Sequence, residues 1–151
     1  MPFTFASRFA HDRAQLLARG PATAAIVTEA DLAPLPPLMR TYLMRVGVVG
    51  RPRVHNLQLT FAAEMRSSAT APSMKATATQ FESFAPPARL FRMRASRSCI
   101  PFDVFHRYVD DAATFQVRIA GLVPMVNKSG GGITNDETVT LMNDVIVLAP
   151  A

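Results

Sequence analysis

Apolar and polar positions recur along this chain with two different periods, and the change of period divides it. Over the first third the spacing is helical. Phe5, Phe9, Leu16 and Leu17 fall near one face of a helix that Gly20 and Pro21 end. Ala22 to Val27 forms a small-residue linker. Thr28 with Asp31 three residues on has the form of a capping box. The chain then meets Pro34, Pro36 and Pro37, so a longer helix is expected to start there with proline in its first turn. Leu35, Leu38, Met39, Tyr42, Leu43 and Val46 make an apolar stripe along it, and Gly47 supplies its C-terminal cap.

After Pro52 the period falls to two. His55, Leu57, Leu59, Phe61, Ala63 and Met65 alternate with Asn56, Gln58, Thr60, Ala62, Glu64 and Arg66, the pattern of a half-buried strand. A loop over 67–73 leads to a second strand, Lys75 to Ser83, which Pro86 and Pro87 end. A third strand covers Arg89 to Arg97 and a fourth Phe102 to Val109, with Asp110-Asp111 as the tip of a tight hairpin. A fifth strand is expected over Thr114 to Val126. Gly130, Gly131 and Gly132 read as a flexible loop, and Thr134 with Glu137 as a capping box that opens a last helix through Val139, Met142, Val145 and Ile146.

The expected fold class is α+β: N-terminal helices, then a curved antiparallel β-sheet in a half-barrel-like meander, then a helix near the C-terminus. Residues 1–27 form the N-terminal helix and linker, and 28–151 a single α+β domain. The apolar end, Ala149-Pro150-Ala151, and the open edge of a five-stranded sheet suggest that further strands are missing at the C-terminal end or that a second copy pairs there.

Composition narrows the class without naming a function. The 151 residues are 49 % hydrophobic and 18 % charged, which excludes a disordered chain. No apolar run approaches the ~20 residues of a membrane-spanning helix. No signal-type apolar segment interrupts the charged N-terminus, so a cytoplasmic location is expected. One cysteine excludes an internal disulfide and strongly disfavours a cysteine-cluster metal site; no metal or cofactor is expected. The formal charge is +5, and Lys75 and Lys128 are the only lysines. The arginines are scattered. Arg92 and Arg94 share a strand face while Arg89 and Arg97 fall on the other, which breaks any continuous phosphate track and disfavours nucleic acid.

Chemical candidates are few. There is no phosphate loop, nucleophile elbow or zinc-protease motif. His106 shares a face with Phe102, Val104 and Tyr108, where a titratable ring lining an apolar cavity could act as a general base or orient a ligand; Tyr108 and Asn143 are its candidate orienting groups. Asp103 and Arg107 point to the opposite face. Asp136, Glu137 and Asp144 on the last helix read as a cap and a solvated face, His11 as solvated, His55 as a strand-edge residue and Cys99 as inert. Phe91, Met93, Phe105, Phe115 and Val117 are the candidate lining of a soft apolar concavity.

Leu35-Pro36-Pro37 through Tyr42-Leu43, then Val46 to Val54, followed by Phe91-Arg92-Met93-Arg94, His106 to Asp110, Gly121 to Pro124, Glu137 to Thr140 and Asn143-Asp144, resemble an uncharacterised bacterial family of unknown function. The resemblance runs from about Val27 to the end of the chain. Family members usually carry Trp around Leu90 and Gly at Asp111, and their chains continue past Ala151 with more strands. No activity is attached to the family, so no catalytic residue is implied. Its strand order is similar to the half-barrels of bacterial lipoprotein carriers, an analogy of fold alone. The functional expectation is a module binding a hydrophobic or lipid-like small molecule between sheet and helices. The alternatives are an enzyme with His106 as base in the same cavity, or a domain that self-associates as a homo-oligomer through its sheet edge.

Overall fold

The computed structural model describes residues 4–148 apart from Ser67 and Ser98. The expected apolar terminus Ala149-Pro150-Ala151, like the side chains of Arg97 and Ile146, lies outside what is described. Helix α1 (Phe5–Arg19) precedes the short α2 (Glu29–Leu32) and α3 (Pro37–Arg45). Six strands follow: β1 (Asn56–Met65), β2 (Met74–Phe84), β3 (Pro87–Arg97), β4 (Ile100–Val109), β5 (Ala112–Ile119) and β6 (Val123–Ser129). Helix α4 (Gly131–Leu148) ends the described chain. The strands form one open antiparallel meander, each pairing with its sequence neighbours. The fold is α+β, as the two periods imply.

Period two gives each strand two faces, and each face has its own cover. Phe5, Phe9, Asp12 and Leu16 form the buried stripe of α1, capped by the Thr4 side chain, which accepts from the Ser7 amide at 3.1 Å. The stripe packs on Phe81, Ala88, Leu90, Phe105 and Val109 of the sheet, with Phe5 stacked on Phe105 at 5.6 Å. Asp12, the polar member, accepts from Arg107 Nε at 3.0 Å. Burial is therefore compatible with its charge. On the other face, Ala76, Ala78, Met93, Ala95 and Val104 form a second cluster, and α4 covers one end through Leu141, Ile133 and Val145 against Tyr108 and Ala113.

Several expectations change. The strand expected over Thr114 to Val126 is two strands, β5 and β6, joined at Ala120, Gly121 and Leu122. Ala120 has φ +52° and Gly121 φ +72°, so the chain reverses through left-handed backbone. Ile119 and Val123 end opposite each other on one face, which is why alternation ran through the turn unbroken. Thr134 is not an N-cap. Helix α4 begins at Gly131, within the expected loop, and the Thr134 hydroxyl instead donates to Gly130 O at 3.1 Å and accepts from the Ala113 amide at 3.2 Å. The α3 stripe is buried only at Leu43; Leu38 and Tyr42 are exposed. By contrast the Thr28–Asp31 capping box is present, and Asp110 and Asp111, with φ of 53° and 54°, form the two-residue turn of a β4–β5 hairpin.

Ala120 makes one stability prediction. Alanine pays about 1–2 kcal/mol for left-handed backbone that glycine enters freely, and its exposed side chain packs on little. Ala120→Gly is expected to raise stability by about 1 kcal/mol, seen as a higher urea midpoint at unchanged slope. A lower midpoint would place the strain elsewhere.

Candidate functional site

Polar residues occupy apolar-face positions on three adjacent strands, all towards the end that α4 covers. On β2 the face of Ala76 and Ala78 continues into Gln80 and Glu82; on β3 that of Met93 and Phe91 continues into Arg89; on β4 that of Phe102 and Val104 continues into His106. Helix α4 meets them with Ile133, Glu137, Leu141, Asp144 and Val145, a spacing that puts all five on one helical face. Gln80, Glu82, Arg89 and Glu137 are all buried.

Arg89 is the hub. Its Nη1 donates to Glu137 Oε2 at 2.8 Å, its Nε to Asp144 Oδ2 at 3.1 Å and its Nη2 to Gln80 Oε1 at 3.3 Å. Gln80 Nε2 donates to Asp144 Oδ2 at 2.9 Å and to Glu82 Oε1 at 2.5 Å. Glu82 Oε1 lies 3.9 Å from Arg89 Nε, and its Oε2 has no hydrogen-bond partner among the described residues. Burial first, and the neighbouring Asp144 carboxylate second, push the Glu82 carboxyl up to about 7. For Glu137 burial acts in the same direction. The His106 hydrogen bond and the Arg89 charge outweigh it and hold that carboxyl below its ordinary value. His106 Nδ1 sits 2.5 Å from Glu137 Oε1.

The His106 ring is fastened to this network on one side and to a row of aromatic rings on the other. It meets Phe115 at 4.3 Å and the edge of Phe91 at 5.6 Å. Phe91 meets Phe61 at 6.4 Å. In register Phe61 faces Ala78 on β2, and Phe91 lies one strand further on. The two rings therefore approach across β2 above the small Ala78 side chain. The row crosses the sheet from β1 to β5 with the charged network on its α4 side and Met93, Val104 and Val117 on the other. It is open to solvent: the Phe61 residue is 41 % exposed and the His106 side chain 27 %.

The structure brings Phe91, Met93, Phe115, Val117 and His106 together on this face. Phe105 does not join them. It lies on the opposite face, wholly buried against α1, because odd and even residues of β4 part at the sheet. Tyr108 is buried beside Leu141 with its hydroxyl donating to Asp111 Oδ1 at 3.0 Å. Asn143 is exposed on α4. The larger correction concerns Glu137 and Asp144, expected as cap and solvated face. Both turn inwards to Arg89. No group of His, Cys, Asp or Glu suited to a metal ion occurs among the described residues. An open depression of about 660 Å³, lined in part by Glu64, Lys75, Thr77, Arg94 and Ser96, contains no member of the network.

One comparison bears on this arrangement: a family model matches residues 25–151. The chain belongs to a family of unknown function, DUF6544. No curated protein and no solved structure matches it. Every residue of the charged network and of the aromatic row lies within the family match. Helix α1 lies before it, although Phe5, Phe9 and Leu16 belong to the main core cluster. No helix among the described residues is long and apolar enough to cross a membrane.

Proposed function

We propose that this chain binds an apolar small molecule along the aromatic row, with His106 at the junction between the apolar face and the charged network. The observation that carries the reading is the setting of that ring. His106 is partly exposed, flanked by a tilted Phe115 ring and a Phe91 ring that it meets edge-on, and tied through Nδ1 to a buried carboxylate that Arg89 also holds. Apolar walls with one convergent polar group are the usual make-up of a small-molecule site. The flexible Met93 thioether beneath the row can adjust to varied apolar shapes laid over it.

Nile red, a neutral solvatochromic dye, is expected to bind the purified protein with a blue shift. Phe61→Lys is expected to weaken that binding at least about tenfold, a loss of about 1.4 kcal/mol. Phe61 lies on an edge strand and is 41 % exposed, so the variant is expected to stay folded, which its urea midpoint checks. Dye binding that is absent, or indifferent to this change, removes the reading.

The His106–Glu137 contact favours a second reading of the same site. A carboxylate on Nδ1 orients the ring and leaves Nε2 as its second polar atom, the arrangement of a general base. His106→Ala separates the two: lost turnover with intact binding marks catalysis, whereas weakened binding alone marks a ligand contact.

A further inference from the structure

We infer that the molecule held on this face carries an uncharged hydroxyl head, and that the site discriminates against a carboxylate of the same chain length. The inference rests on the binding reading above and adds the chemical class of the ligand.

Two properties of the site point to it. The first is the hydrogen-bonding character of the second ring nitrogen. His106 Nδ1 is committed to Glu137 Oε1, so Nε2 is the atom left for a ligand. A hydroxyl both donates and accepts, and so satisfies Nε2 whichever tautomer or protonation state the ring holds. A carboxylate can only accept.

The second is local charge. Glu82, Glu137 and Asp144 gather around a single guanidinium, Arg89, three of whose five N–H donors are bonded to Glu137, Asp144 and Gln80. An anionic head at His106 would enter beside carboxylates that outnumber the one arginine, in surroundings where burial strengthens the repulsion. Among the described residues, the next cation on this face of the sheet is Lys128. It pairs with Phe115 in register, two strands from His106 and exposed. That is about 10 Å away across the sheet, on the order of a Debye length at physiological salt. A hydroxyl head at His106 with its chain laid over the partly exposed Phe61, Phe91 and Val117 fits both faces of the junction. It needs no new charge in the network.

The test is competition against bound Nile red at pH 8 by three amphiphiles of one chain length: decanol, decanoate and decyltrimethylammonium. Decanol is expected to compete at least about tenfold more tightly than decanoate. His106→Phe, which keeps a ring in the row but removes Nε2, is expected to bring the two within about twofold of each other, each measured against that variant's own affinity for the dye. Decanoate binding as tightly as decanol to the unaltered protein overturns the head-group inference and leaves the binding site standing; Lys128→Ala then shows whether that lysine holds the carboxylate. Decyltrimethylammonium binding tightest also overturns it, in favour of a cationic ligand. Failure of Nile red to bind removes the site and the inference together. Native mass spectrometry of the same protein covers the remaining occupant: a ligand-free dimer that excludes the dye would mean that a second copy covers the face, and the inference falls.

Discussion

Arg89→Met is expected to destabilise the fold by about 3–5 kcal/mol at pH 8, the cost of removing one partner from a buried ion pair. Methionine restores much of the volume, so the loss measures charge and hydrogen bonding more than a cavity. Glu137 would keep only His106, and Asp144 only Gln80, of the partners described. Glu82, already short of a partner for Oε2, would lose its nearest cation. Arg89→Lys is expected to recover only part of the loss. One ammonium cannot reproduce three bonds that leave a planar guanidinium in three directions. The deficit should shrink at pH 5, where carboxylates deprived of their cation take up protons instead of remaining charged. Urea unfolding of both variants at the two pH values checks this. A loss below about 1 kcal/mol at pH 8 would mean that solvent reaches the network and screens it.

Helix α4 is the element most exposed to that change. Arg89 grips it at two points seven residues apart, Glu137 and Asp144, whereas its apolar hold on the sheet comes from Leu141, with Ile133 and Val145 packed against Tyr108 and Ala113. Amide exchange along 131–148 should therefore accelerate more than in β2 or β3 when Arg89 is replaced.

The elements that local chemistry governs were legible in the sequence. Proline at the start of α3, the Thr28 cap, the Asp110-Asp111 turn and four of the six strands follow from residue type and period. The β5–β6 turn was not legible, because an alanine occupies left-handed backbone and the apolar positions on either side keep the same parity. The network was hidden for a different reason. Its bonds span 48, 55 and 64 residues, and acids spaced along a helix look alike whether they face water or a buried arginine. A usable signal did exist. Gln80 with Glu82, Arg89 and His106 interrupt the apolar face of three successive strands, and hairpin register alone puts them at the same end. A polar residue where alternation calls for an apolar one marks either an error of register or a buried partner, and three such strands in a row favour the partner.

Raising the pH from 5 to 8 is expected to weaken the folded state through Glu82. Burial lifts its carboxyl from an ordinary value of 4.5 to about 7, so between those limits the native state holds a proton that the unfolded chain releases. A folded value above the unfolded one means that the contribution is complete below pH 4.5 and disappears as pH climbs through about 7. At 1.36 kcal/mol for each unit the full effect is about 3 kcal/mol. Glu137 works in the opposite sense. Its folded value lies below the ordinary one, so its contribution is present above the ordinary carboxylate range and is lost as pH falls through the depressed value. The two carboxyls thus confine maximal stability to a mildly acidic window. Glu82→Gln isolates the upper limb: the amide keeps an oxygen for Gln80 Nε2, adds a donor that can reach Asp144, and carries no titrating proton. The variant is expected to match the parent near pH 5 and to exceed it by about 1–3 kcal/mol at pH 8, so that the difference between their urea midpoints grows steadily across the interval. Equal midpoints at both ends would mean that Glu82 is ionised in the fold throughout and that Arg89, at 3.9 Å, suffices to hold it so.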